Sequence, residues 1–338
     1  MKPLLSIQYL RAFAALAVVV FHACQWMDID FDIGAGGVDV FFIISGFLMW
    51  KITDTPGAMP GAFLWKRVTR VVPLYWIATL GVVALALAAP WIVPKVKPEP
   101  AHVLLSMLFI PHLDPAGIPF PLLPPGWTLN YEAILYLIFT AALSLPRAWR
   151  FRLVIGALFS ITITGLFAYR LFPLFANPMM LEFAAGVVMA RAYGARAYGD
   201  GPRLGVGTGW SLVALGVVTF AMLKALGLHS DIGRWVLWGA PAVMMVTGAL
   251  AVEAAGRLPR SAPLKRLGDA SYAIYLCHWP LLALIAKLIG KGPPWLFIPA
   301  ATIAATALGL AVHYAVERPA IRLLRRRRTD REAASPQG

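Results

Sequence analysis

Apolar stretches about twenty residues long follow one another along almost the whole chain. A helix rises about 1.5 Å per residue, so about twenty such residues cross a hydrocarbon layer about 30 Å thick. Ten segments qualify: 6–27, 36–53, 71–90, 126–145, 151–170, 173–191, 208–227, 232–253, 271–290 and 295–316. Charged residues are only 14% of the 338, where a soluble domain carries about a quarter. Mean hydropathy is +0.72. The expected fold is all-α and membrane-integral, with about ten transmembrane helices. The stretch HVLLSMLFIPHL, 102–113, is too short to span. It reads as interfacial or re-entrant, because non-helical backbone at membrane depth must be sheltered by protein. It sits in the proline-rich segment 91–125, which cannot be helical throughout.

The formal net charge of +14 would suit a nucleic-acid binder if it lay on one face. Laid onto the ten segments with a cytoplasmic N-terminus, 22 Lys and Arg fall in inner loops and the tail, and 6 in outer loops. That is a positive-inside pattern, with both termini cytoplasmic and no nucleic-acid partner. Arg325 to Arg328 then meet anionic lipid, and 321–338 reads as a basic, disordered tail behind a membrane domain of 1–320. The first apolar run contains Arg11 and has His22 where a lipoprotein leader needs a small residue, so it reads as a retained first helix. Cys24 and Cys277 lie in apolar runs without ligand-like spacing, so neither a metal site nor a structural disulfide is expected.

Ionisable residues inside spans cost several kcal/mol on insertion scales and mark functional sites. Arg11 and His22 share the first helix. Eleven residues turn about 1100°, about 20° from three full turns, so both project from one face about 16 Å apart. Arg11 lies towards the cytoplasm and His22 towards the outside. Arg11 alone could simply snorkel to inner headgroups. Counted from the expected helix ends, His22, Asp39 and Glu132 all fall within about 10 Å of the outer boundary. A carboxylate beside a histidine fixes its tautomer and raises its basicity. Asp39 could equally serve its helix start, where an acid suits the dipole. Arg67 and Arg70, three residues apart, share a helix face and with Arg11 would make a pocket for phosphates. They also satisfy the positive-inside rule without any ligand. His278 and His313 fall in the inner halves of the last two helices, lining a channel or packing. Glu182 is near mid-span and needs a buried partner.

These motifs resemble one known family. Arg11 and His22 in R-x10-H, GGVDVFFIISGFLM in the second helix, Arg67 and Arg70 in R-x-x-R, WTLNYEAILYL with Glu132, and SYAIYLCHWPLL and YAVERP near the end are similar to the motifs of acyltransferase family three membrane proteins. The resemblance implies transfer of an acyl group, most often acetyl, from cytoplasmic acyl-CoA to a hydroxyl of an extracytoplasmic or lipid-linked carbohydrate. The form resembled is the stand-alone, exopolysaccharide-modifying one of bacterial inner membranes. On that reading Arg11, Arg67 and Arg70 bind the donor, and His22 is general base or transient acyl carrier, oriented by Glu132 or Asp39. The distance from Arg11 to His22 is shorter than an extended pantetheine arm with its phosphates. The rival reading is a proton-coupled transporter, because an Asp/Glu/His chain in a bundle also suits a proton relay. Such proteins more often show paired repeats with broken helices.

Overall fold

The computed structural model describes residues 4–167, 178–197, 204–228 and 237–325. The regular elements among those residues are all helices, with no strand. In chain order the helices are α1 Leu5–Trp26, α2 Gly36–Thr53, α3 Pro60–Ala88, α4 Pro100–Met107, α5 Trp127–Leu143, α6 Arg147–Phe167, α7 Met180–Ala197, α8 Val206–Ala225, α9 Gly239–Ala254, α10 Ala262–Leu284 and α11 Pro294–Val312. Two π-helical turns, Ile285–Ile289 and His313–Glu317, extend α10 and α11. Seven of these helices are long and apolar enough to cross a membrane. Arg170, His229, Arg234 and the tail beyond Arg325 lie outside the described residues.

The core is built around α2, whose span is 72% buried, against 17% for α8. α1 packs between α2, α10 and α11, and α7 covers the far side of α2. α1 has no cap of its own: the Glu253 carboxylate, from α9, accepts the Leu5 amide at 2.8 Å, the Ser6 amide at 2.9 Å and the Ser6 hydroxyl at 2.5 Å. Those amides have no partner within the helix, and a carboxylate suits the positive end of its dipole. Tyr9 fastens the next turn, donating to the Pro259 carbonyl at 2.9 Å. Where α1 meets α10, a Cβ on Gly268 would run into the Gln8 carbonyl, so only glycine allows this crossing.

Two helices begin earlier than their apolar runs. α3 starts at Pro60 rather than 71, which puts Arg67 and Arg70 inside the helix, not before it. Proline in the first turn loses no hydrogen bond, and long basic side chains tolerate a helical backbone at a membrane surface. α10 starts at Ala262, where Ser261 caps it through the Leu264 amide and Lys265 pairs with Asp269 at 2.6 Å. His278 therefore lies past the midpoint of its helix, not before it.

The stretch 102–113 folds as α4 and an extended return. Trp76 donates its indole N–H to the Met107 carbonyl at 2.8 Å, and the Phe109 and Tyr75 rings lie 4.7 Å apart. Tyr75 is fully buried near the middle of α3, so this segment reaches the level of the middle of that helix. The segment leading into α5 does so as well: a Cβ on Gly126 would lie 2.7 Å from the Tyr75 ring. α5 thus starts near mid-depth, not at the outer surface.

Candidate active site

Six helices surround a cavity of about 810 Å3, its mouth included. α1 contributes Arg11, α2 Ser45, α3 Arg67 and Arg70, and α5 Glu132 and Tyr136. α7 adds Phe183, and α10 adds Ser271, Tyr272 and Tyr275. Arg11 is buried, at 8% exposure. It lies within electrostatic reach of Arg70, Glu317, Glu132 and Asp269. Arg67 and Arg70 reach the same space because residues three apart share a helix face. Glu132 accepts the Tyr136 hydroxyl at 2.5 Å and the Ser45 hydroxyl at 3.5 Å. Three guanidiniums therefore share the cavity with one lining carboxylate. Burying cations without partners is costly, and guanidiniums recognise phosphates through paired hydrogen bonds. Arg67 Nε and the Ser271 hydroxyl find no hydrogen-bond partner among the described residues. The set suits a polyanion.

Tyr275 lines the cavity, and its hydroxyl donates to the Pro125 carbonyl at 3.0 Å. One turn outwards on α10, the fully buried His278 lies against His22 of α1, ring centroids 4.9 Å apart. Nε2 of His278 is 3.2 Å from Nδ1 of His22. Arg11 with the cavity and the histidine pair thus mark the two ends of a track along α1.

The site residues anticipated from sequence divide between the two ends of this track. Arg11, Arg67 and Arg70 come together. Glu132 joins them rather than His22, because α5 begins near mid-depth and Glu132 lies a further turn inwards. Asp39 is fully buried in the first turn of α2, one turn before Phe42, and is not among the cavity-lining residues. The partners of His22 are the Val18 carbonyl at 2.9 Å and His278. His313 pairs with Glu317 at 2.7 Å in the buried π-turn after α11. The sequence reading missed Ser45, Tyr136, Tyr272 and Tyr275. Their signal was present: Tyr136 follows Glu132 by four residues, and Tyr272 and Tyr275 are three apart, each pair on one helix face.

Residues 4–314 match the family model described as an acyltransferase domain. The exopolysaccharide production protein ExoZ of Rhizobium meliloti (strain 1021) is 38% identical over 317 residues, covering 92% of this chain and 96% of that protein. The acyltransferase MdmB of Streptomyces mycarofaciens is 28% identical, covering 98% of this chain and 95% of its own length. Nodulation protein 10 of Rhizobium leguminosarum bv. viciae is also 28% identical, over 93% and 92% of the two chains. No solved structure matches. A multi-pass helical chain that gathers three arginines at one cavity, and whose sequence matches that model almost end to end, belongs to the acyltransferase-domain family.

Proposed function

We propose that this protein is a membrane O-acyltransferase that moves an acyl group, most often acetyl, from cytoplasmic acyl-CoA to a hydroxyl of an extracytoplasmic or lipid-linked carbohydrate. The observations that carry the reading are the three arginines gathered at one cavity and a histidine pair about 16 Å from Arg11 along α1. The arginines hold the donor's phosphates, and its pantetheine arm runs outwards past Tyr275. His22 takes the proton from the acceptor hydroxyl, whose oxygen attacks the thioester carbonyl carbon. The C–S bond breaks, an ester C–O bond replaces it, and the CoA thiolate leaves with the proton. Base catalysis of this kind is worth about 10²–10⁴-fold.

Exopolysaccharide is the acceptor that the relationship to ExoZ favours. The same reading has ten spans, both termini in the cytoplasm of a bacterial inner membrane, and inner basic residues against anionic lipid. Residues 1–320 then form the acyltransferase domain and 321–338 a basic tail. The test is transfer by purified protein in detergent, where no ion gradient exists. Label from radioactive acetyl-CoA is expected on polysaccharide extracted from the host membrane. Neither transfer nor acetyl-CoA binding in that assay would overturn the reading and favour a transporter.

A further inference from the structure

We propose that His278 is a positioning residue that fixes which nitrogen of His22 acts as the base; the inference rests on the acyltransferase reading above. Nδ1 of His278 lies 2.6 Å from the Tyr275 carbonyl oxygen. A carbonyl oxygen only accepts, so this nitrogen carries the hydrogen. Neutral His278 therefore presents a bare lone pair at Nε2, 3.2 Å from Nδ1 of His22. That nitrogen in turn lies 2.9 Å from the Val18 carbonyl, another pure acceptor. Two acceptors converge on Nδ1 of His22, and one N–H shared between them satisfies both. In the other tautomer, three lone pairs would face one another in a buried site. His22 is thereby held with hydrogen on Nδ1 and the lone pair on Nε2, the state that a general base needs.

A histidine packed here only to fill space would need no acceptor at that atom. Tyr275 serves twice: its hydroxyl is tied to Pro125 and its carbonyl sets the His278 tautomer. A residue that lines the cavity and the one that orients the base thus stand on one turn of α10.

The test compares His278→Leu with His278→Gln in detergent-purified protein. Glutamine places its Oε1 near the position of Nε2 and keeps an acceptor there; leucine keeps the bulk and removes it. Leucine is expected to lower kcat by about 10- to 100-fold. That is less than the ~10⁴-fold loss when a triad histidine loses its tautomer-fixing carboxylate, because the Val18 carbonyl remains. KM for acyl-CoA should stay within about twofold, because the arginines are untouched. Glutamine should restore most of the loss. In 15N-histidine spectra of the wild type, His22 should be protonated at Nδ1. Wild-type kcat in His278→Leu, a glutamine variant no better than leucine, or His22 protonated at Nε2 would each overturn the proposal. His22→Ala separates the two levels. If it is inactive while His278→Leu is normal, only this inference falls. If it still transfers at full rate, the proposed role of His22 falls as well.

Discussion

The two halves of α1 face different chemistry. Around Arg11 the lining includes charged groups, and cations outnumber the lining carboxylate. Around His22 the partners are a carbonyl and a second imidazole, all neutral in the arrangement that satisfies every hydrogen bond. Uncompensated positive charge attracts a charged ligand and holds it without further specification. A neutral, doubly oriented imidazole attracts little and is suited to moving one proton. The difference separates holding from reacting, and the helix rise sets the spacing between them at about 16 Å.

The sharpest way to break this comparison is to remove each end in turn. His22→Ala should lower transfer by about 10²–10⁴-fold while acyl-CoA still binds, as equilibrium binding to the purified protein would show. Arg11→Ala should do the reverse, weakening acyl-CoA binding by about 10- to 100-fold, the range of a lost charge-assisted hydrogen bond. Arg11→Lys should lose less, because charge remains and only the planar fork is gone. Binding lost with His22, or kept without Arg11, would reverse the two roles.

A smaller effect tests what keeps both ends on one track. Gly268→Val would drive a side chain into the Gln8 carbonyl and part α1 from α10. A loss of about 1–3 kcal/mol, as for an overpacked core, is expected in unfolding of the detergent-solubilised protein. Gly156→Ala on α6, with open space around it, is the matched control and should leave stability within about 0.5 kcal/mol. Equal effects at the two positions would show that the α1–α10 crossing is not tight.

The smallest effect concerns the segment that packs α4 against the middle of α3. Nδ1 of His102 and Nε2 of His112 are 2.7 Å apart, closing the turn that α4 begins. Burial and the neighbouring His112 hold the His102 imidazole below its ordinary value of 6.5, with Asp114 and Glu99 pulling weakly the other way. A histidine with a depressed pKa contributes stability above its unfolded value and loses it as the pH falls below about 6.5. Hydrogen exchange across 100–112 should therefore quicken, beyond the intrinsic pH effect, between pH 7.5 and about 5.5. In His112→Leu that pH dependence should shrink. An unchanged profile would mean that the pair does not close the segment.

Legibility from sequence follows the same division. α2 was read at 36–53 and found at Gly36–Thr53, because glycines and an acid open it and an apolar run fills it. The starts of α3 and α10 were not legible from hydropathy. Lys66, Arg67 and Arg70 end an apolar window, as do Lys265, Arg266 and Asp269, but none of them ends a helix. The Arg11–His22 alignment was readable because both residues lie on one unbroken helix, whose geometry is fixed. Glu132 was misplaced because its depth was counted from a helix start assumed to lie at the membrane surface. Trp127 starts instead near the level of Tyr75, which only the fold of 108–126 reveals. The His22–His278 contact joins residues 256 apart, and no local pattern encodes it.

The Glu253 carboxylate that closes the first turn of α1 sets an order of assembly. During synthesis the amides of Leu5 and Ser6 enter the membrane system 248 and 247 residues before the group that satisfies them is made. Until α9 arrives, the helix that carries Arg11 and His22 has a frayed inner end. Ribosomes add about 5–20 residues per second, so that interval lasts tens of seconds or less. Through it, α1 waits for α9, and its Arg11 and His22 ends settle together only once that later helix is in place.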